Sequence, residues 1–240
     1  KDEAIRREFV ANVSHELRTP LTNVRRYAET LQDASDMPPE VANGFLDVIL
    51  SETDRMTHIV QDLLTLSKFD YGHMEMIMTR FPLSDAVDDV CNAVDLAAKS
   101  HRHTLLRNYQ ALPVITADRG RLTQVIMNIV GNAIKYTPDG GRIEIRGGSS
   151  EETVWIEVSD NGIGIPPKDR AHVFERFYRV DKARSRESGG TGLGLSIASE
   201  IITQHHGTIS LVDQDTPGTT FRITLPITQP IQEVHHAEED

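Results

Sequence analysis

One histidine, His15, is followed directly by Glu16 and, one helical turn later, by Thr19 and Pro20. An imidazole is titratable near neutral pH and nucleophilic, and here it stands next to a carboxylate. Apolar residues recur at Val10, Val13, Leu17, Leu21, Val24, Ala28 and Leu31. Those steps of three and four predict a long amphipathic helix whose seam must be buried against a partner. His15 lies off the seam, on the exposed side. Pro20 falls inside the pattern, removes the bond its N–H would give to the Glu16 carbonyl, and bends the helix. A His-Glu pair on a solvated helix face is also ordinary surface, but a mid-helix proline costs roughly 3 kcal/mol and wants a reason.

A second group of residues reads as an anion and nucleotide site. In the predicted helix from Asp118 to Tyr136, Leu122, Val125, Ile126, Ile129, Ala133 and Ile134 form the buried face. Asn128, Asn132 and Lys135 form another stripe, with Tyr136 adjoining. Asparagine prefers caps and turns to helix interiors. Two on one face are either a solvated polar stripe or a set of hard oxygen ligands suited to Mg²⁺ and amide donors suited to phosphate. Lys135 can neutralise phosphate charge. Asp160-Asn-Gly-Ile-Gly164 follows a predicted strand. Such a segment is often only a turn. Alternatively, its carboxylate can accept from an adenine amino group while Gly162 and Gly164 let the base approach the backbone.

Gly189-Gly-Thr-Gly-Leu-Gly-Leu195 opens a helix, and glycines before a helix N-terminus make an anion site from free N–H groups and the dipole. Its G-x-G-x-G spacing after a long loop argues against a dinucleotide fingerprint, and without G-K-[ST] it is no Walker loop. Phe174-Glu-Arg-Phe-Tyr-Arg179, then Lys182, Arg184 and Arg186, lie in an irregular stretch of lid length. Phe174 and Phe177 read as anchors to the domain, and Arg179 can reach a terminal phosphate.

The elements that must position these residues fall into two sets. Helices over residues 1–33 and about 40–69, joined across Ala34-Ser-Asp-Met-Pro-Pro39, predict an antiparallel hairpin. Met56, Ile59, Leu63 and Leu66 give the second seam. One hairpin has too small a core to stand alone, so two are expected to pair as a four-helix bundle. Beyond Asp70 the order is mixed: a weak strand within 74–81, a helix from Leu83 to about Lys99, strands over 105–109 and 114–116, the Asp118 helix, strands over 142–146 and 154–159, a helix over 193–204 and a closing hairpin of 208–212 with 219–225. The fold class is therefore multidomain: an all-α hairpin over 1–70, a linker over 71–82, an α+β sandwich over 83–228 and a polar tail over 229–240. His235-His236 reads as tail composition rather than a metal site.

Composition narrows the function classes. The 240 residues carry a net charge of −11, with 38% hydrophobic and 25% charged residues. An acidic chain is a poor partner for nucleic acid. The one cysteine, Cys91, cannot make an internal disulfide and reads as a core residue in a reducing compartment. No apolar run approaches the roughly 20 residues of a membrane span. The sequence reads as the cytoplasmic piece of a longer protein, with membrane attachment only through upstream segments.

Taken in order, these stretches resemble the sensor histidine kinases of bacterial two-component systems. Phe9 to Thr22 is similar to their H-box, Asn128 to Tyr136 to the N-box, Asp160 to Gly164 to the G1-box, Phe174 to Arg179 to the F-box and Gly190 to Gly194 to the G2-box. The last four belong to the GHKL, or Bergerat-fold, ATP-binding domain. The wording R-R-E-F-V-A-N-V-S-H-E-L-R-T-P-L-T looks most like the WalK (YycG) cell-wall kinases of Gram-positive bacteria.

The resemblance implies ATP with Mg²⁺ on Asn128, Asn132 being a second candidate ligand. It implies Lys135 and Tyr136 at phosphates or ribose, and Asp160, with Gly162 and Gly164, at adenine. It implies Gly190, Thr191, Gly192, Leu193 and Gly194 over the phosphates and Arg179 at the γ-phosphate. It further implies autophosphorylation of His15 with Glu16 as general base, transfer to an aspartate of a response regulator, homodimerisation through residues 1–70, and no nucleic acid. The H-E-x-x-T run implies that Thr19 positions water for a phosphatase activity, against its plain reading as a pre-proline residue. Two other classes compete. A GHKL ATPase driving a clamp would have no need of the helical hairpin. A degenerate kinase serving as a dimeric scaffold is opposed by the intact His15, Glu16, Asn128, Asp160 and glycines.

Overall fold

The computed structural model describes residues 2–180 and 190–229. Lys182, Arg184, Arg186 and His235-His236 lie outside the described residues. The chain divides into two compact units: residues 1–74 together with 175–194, and residues 75–174 together with 195 onward. Among the described residues no helix is long and apolar enough to cross a membrane.

The first unit is built on α1 (Asp2–Asp33), which runs unbroken through Pro20, and α2 (Pro39–Asp70). Pro39 sits at the first helical position, where its missing N–H costs nothing. Glu16 meets Arg55, Asn23 meets Glu52, and the Tyr27 ring lies edge-on to Phe45 at 5.0 Å. Those pairs run in opposite senses along the two helices, so the hairpin is antiparallel. Ile59 and Leu66 are fully buried. Yet Val10 and Leu21 on α1, and Leu46, Leu50, Val60 and Leu64 on α2, stay 45–62% exposed. Two helices cover only each other's near sides, and an apolar stripe is left on this hairpin.

The second unit contains β1 (Thr79–Pro82), α3 (Leu83–Ser100), β2 (Thr104–Asn108), β3 (Val114–Ala117), α4 (Arg119–Tyr136), β4 (Arg142–Ser149), β5 (Thr153–Asp160), α5 (Gly194–Gln204), β6 (Thr208–Val212) and β7 (Thr219–Pro226). Five strands form a mixed sheet in the order β2-β4-β5-β7-β6, with β2 parallel to β4 and the other neighbours antiparallel. Alternation sets its faces. Ile143, Ile145, Val154, Ile156, Val158, Phe221, Ile223 and Leu225 are buried on one side. On the other, Glu157 is held between Arg146 and Arg222 at 3.0 and 3.2 Å, and Arg222 stacks over Trp155.

The α4 face read from the sequence is buried as expected, as is Cys91 in α3. The weak strand expected within 74–81 is present at its end: residues 79–82 form β1 and pair antiparallel with β3, with Phe81 opposite Ile115. Both side chains are buried there, so tertiary pairing sets its bounds.

Candidate functional site

His15 is exposed on α1, and among the described residues its ring makes no hydrogen bond. The Thr19 hydroxyl donates to the His15 main-chain carbonyl at 3.4 Å, the back-bond common for threonine within helices. Glu16 faces another way. Successive helical residues project about 100° apart, and Glu16 turns inward, its side chain 15% exposed. Its Oε2 lies 3.4 Å from Arg55 Nη2 on α2, and Arg179 Nη1 lies 3.4 and 3.3 Å from Oε1 and Oε2. The carboxylate expected beside the imidazole is thus engaged by two guanidinium groups.

The segment carrying Arg179 is fixed at several points. Arg176 pairs with Asp70 through both guanidinium nitrogens at 2.8 and 2.6 Å, which holds the Asp70 carboxyl below the usual range. Phe174 packs edge-on against Phe221 of β7, in the second unit. Phe177 instead meets Phe9 of α1 at 5.5 Å, so the two expected anchors hold different units. Phe177 is left-handed (φ 63°) and donates its N–H to the Gly192 carbonyl at 2.9 Å. Gly192 is also left-handed, and a Cβ there would come within 3.0 Å of the Phe177 backbone, so only glycine fits. Thr191 Oγ1 donates to Asp62 and accepts from the Leu193 N–H, both at 3.1 Å. Burial pushes the Asp62 carboxyl up, against the Thr191 bond. The Leu193 side chain is fully buried, which leaves only its backbone for a ligand. Gly190 precedes this turn, and Gly194 opens α5 as the pattern predicts.

In the second unit, Asp118 caps α4 by accepting from the Arg121 N–H at 3.0 Å. Asn128, Asn132, Lys135 and Tyr136 are half-buried along one side of that helix. Lys135 Nζ lies 5.2 Å over the Tyr136 ring. The Tyr136 carbonyl accepts from the Ile163 N–H at 3.2 Å, which joins the end of α4 to the loop after β5. Asp160 ends β5 and is 9% exposed. Its Oδ1 accepts from the Gly162 and Thr219 N–H groups at 2.9 and 3.2 Å, and among the described residues Oδ2 takes no donor. Burial raises the Asp160 carboxyl above its ordinary range, and the two N–H bonds oppose that.

The glycines here serve the backbone first. A Cβ on Gly162 would strike the Tyr136 carbonyl, Gly164 (φ 73°) abuts Gly218, and a Cβ on Gly218 (φ 123°) would strike the Asp160 carbonyl. At these glycines the missing Cβ lets chain segments approach one another, and that packing fixes Asp160.

Residues 5–72 match the His Kinase A (phospho-acceptor) domain, and residues 117–229 match the histidine kinase-, DNA gyrase B- and HSP90-like ATPase family. Over 224 residues, 92% of this chain and 36% of the relative, the sequence is 44% identical to the sensor histidine kinase WalK of Bacillus subtilis. It is 41% identical over 227 residues to the sensor protein kinase WalK of Staphylococcus aureus, covering 93% of this chain and 54% of that one. The chain belongs to the sensor histidine kinase family.

It spans between about a third and about half of the length of these curated kinases. Two solved histidine kinases are also similar. Acinetobacter baumannii AdeS is 25% identical with a TM-score of 0.73, covering 89% of this chain and 98% of that one. ThkA, crystallised in complex with the response regulator protein TrrA, is 26% identical with a TM-score of 0.75, covering 92% and 61%. The residues singled out from the sequence fall in both matches. His15, Glu16 and Thr19 fall in the phospho-acceptor match, and Asn128, Asn132, Lys135, Tyr136, Asp160, Gly162, Gly164, Arg179 and Gly190 to Gly194 in the ATPase match.

Three contributors are not evident from the kinase motifs: Arg55 on Glu16, the Thr219 N–H on Asp160, and Gly218 beneath it. Of these only Gly218 has a sequence signal, since Pro217-Gly218 lies between the two strands expected to form the closing hairpin.

Proposed function

We propose that this chain transfers the γ-phosphoryl group of ATP to His15, and from there to an aspartate of a response regulator receiver domain. The observation that supports this most directly is an exposed imidazole, without a hydrogen-bond partner among the described residues, on the helix that matches a phospho-acceptor domain. The same chain carries a domain of an ATPase family.

Asp160 would accept the adenine amino group on Oδ2, while Oδ1 stays with Gly162 and Thr219. Lys135 and Tyr136 would meet the phosphates or ribose. The glycines from Gly190 to Gly194, with Thr191 among them, would cover the phosphates at the start of α5. Amide oxygens on one half-buried helix face fit a hard cation. Asn128 would hold Mg²⁺, with Asn132 as a second ligand, and the ion would offset phosphate charge. Arg179 would leave Glu16 for the γ-phosphate and stabilise the charge in flight. The unprotonated ring nitrogen of His15 attacks phosphorus in line as the bond to the ADP oxygen breaks, and that oxygen keeps the electron pair. The proton on the other ring nitrogen would pass to Glu16 once its carboxylate, released by Arg179, has turned toward the ring.

The exposed apolar stripe of the hairpin supports a homodimer through residues 1–70. The family supports a response regulator as partner, docking around and below His15, and a cytoplasmic setting within a membrane-anchored bacterial sensor. Thr19, one turn from His15, supports a second activity, in which its hydroxyl positions water to remove phosphate from the regulator.

Incubation with Mg²⁺ and γ-labelled ATP tests the first activity. Label that is lost in acid, kept in base and absent from His15→Ala is expected. ATP turnover without bound label would replace this reading with that of a plain GHKL ATPase. For the second activity, Thr19→Ala is expected to keep His15 labelling and to slow dephosphorylation of a phosphorylated regulator roughly tenfold or more. Equal dephosphorylation by both proteins would remove Thr19 from that role.

A further inference from the structure

We propose that Arg55 is a positioning residue for the phosphoryl transfer, holding the Glu16 carboxylate through a buried ion pair across the hairpin. The inference rests on the reading of Glu16 as the group that takes the imidazole proton.

Arg55 lies on α2, opposite Glu16 on α1, and its side chain is only 10% exposed. Its Nη2 sits 3.4 Å from Glu16 Oε2, and its Nε is buried without a partner. Among the described residues Glu16 is the carboxylate it pairs with. A guanidinium is withdrawn from water only at a cost, unless a counter-charge meets it. Here the counter-charge is the carboxylate next to the phosphoacceptor.

A glutamate has three side-chain torsions and swings freely unless something holds it. Arg55 is suited to that task because its planar fork is already organised and its helix is rigid. Glu16 has a second cation, Arg179, 3.3 Å from Oε2. Arg179 is the residue that the transfer reaction calls to the γ-phosphate. In this structure the carboxylate is turned inward, away from the His15 ring; when Arg179 leaves, Arg55 stays on Oε2, because both belong to the hairpin, and Oε1, which among the described residues Arg179 alone contacts, is released to turn toward the imidazole. Arg55 touches neither ATP nor His15, so its effect runs through Glu16 alone.

The test is a double-mutant cycle on the whole chain, reading the rate of His15 labelling at saturating ATP, the KM for ATP and the melting temperature. Arg55→Gln is expected to slow labelling about ten- to hundredfold, the scale of a misplaced catalytic group, with the KM for ATP unchanged. Arg55→Lys is expected to recover part of the rate. In a Glu16→Gln background, Arg55→Gln is expected to add no further loss. An equal loss in both backgrounds, an unchanged rate, or a loss seen only in the KM for ATP would overturn the proposal. If Glu16→Gln itself labels at the unaltered rate, the reading of Glu16 fails and the proposal falls with it. A normal Arg55→Gln beside a slow Glu16→Gln would sink the proposal alone. Should Arg55→Gln fail to fold, Arg55→Lys in the two backgrounds reads the same coupling.

Discussion

Asp160 illustrates how a single side chain can be split between structure and function. Oδ1 is occupied by two backbone N–H groups, whereas Oδ2 takes no donor among the described residues. Asp160→Asn keeps a carbonyl oxygen for Gly162 and Thr219, so the loop is retained. In the proposed reading it places an NH₂ group where the adenine amino group would need an acceptor. A hydrogen bond to a charged group contributes about 1.5–3 kcal/mol, so ATP affinity is expected to fall roughly ten- to hundredfold, as measured by calorimetry, with little change in melting temperature. The same site predicts a pH dependence. The ionised form is the acceptor, and burial raises the carboxyl above its ordinary range. ATP binding is therefore expected to weaken as pH falls, beginning above the usual carboxylate range near about 3.9. His15 and Asp160 were legible because each stands in a run of distinctive residues. Arg55 was not. In Glu52-Thr-Asp-Arg55 it looks like one more charge on a solvated helix, and only packing across the hairpin brings it to Glu16.

At the scale of elements, the helix that carries Asn128 and Asn132 is held at its far end by a buried histidine. His205, just past α5, is fully buried. Its Nε2 accepts from the Asp118 N–H at 3.0 Å and its Nδ1 lies 2.8 Å from the Ile201 carbonyl. A nitrogen that accepts leaves the other to donate, so the ring is the neutral Nδ1–H tautomer. The Gln229 side chain donates to the His205 carbonyl at 2.7 Å, and Asp118 Oδ2 accepts from the Ile77 N–H at 2.9 Å. The N-cap of α4 thus ties α5, Gln229 after β7 and the segment before β1. The capping aspartate was readable as Asp before an apolar period. The histidine was not, because its partners lie up to 87 residues away in sequence.

Burial lowers the His205 pKa, although the Ile201 carbonyl and Asp118 act the other way. Below about pH 6.5 the unfolded chain binds a proton at this histidine that the folded chain refuses. The stability this group contributes is full above that pH and is lost as pH falls toward the lowered folded value. The melting temperature is expected to drop between about pH 7.5 and about pH 5.5, and His205→Gln, which cannot titrate, to flatten that drop while lowering stability at neutral pH. An equal slope in both proteins would assign the pH dependence to other groups.

The whole molecule presents a different problem. A helical hairpin alone has a small interior, and this one leaves large apolar side chains in water on both helices. Leu50 and Leu64 are 62% and 59% exposed, while Ile59 and Leu66 between and beyond them are fully buried. The period of the sequence showed that both helices have an apolar seam. It did not show that a single hairpin covers only part of it, because a seam read in one dimension does not reveal how many helices share it. A second hairpin would bury the remainder, and each fully buried leucine contributes about 1.5–3 kcal/mol. Replacing Leu50 and Leu64 together by Glu places two charges per protomer in that surface. The pair of substitutions is expected to convert a concentration-independent dimer into a monomer by light scattering, with the helical circular dichroism reduced because the hairpin loses its cover. The second unit has its own sheet and buried core, so it is expected to stay folded in the same variant. A variant that remains dimeric would mean that the stripe faces something other than a second copy of this hairpin.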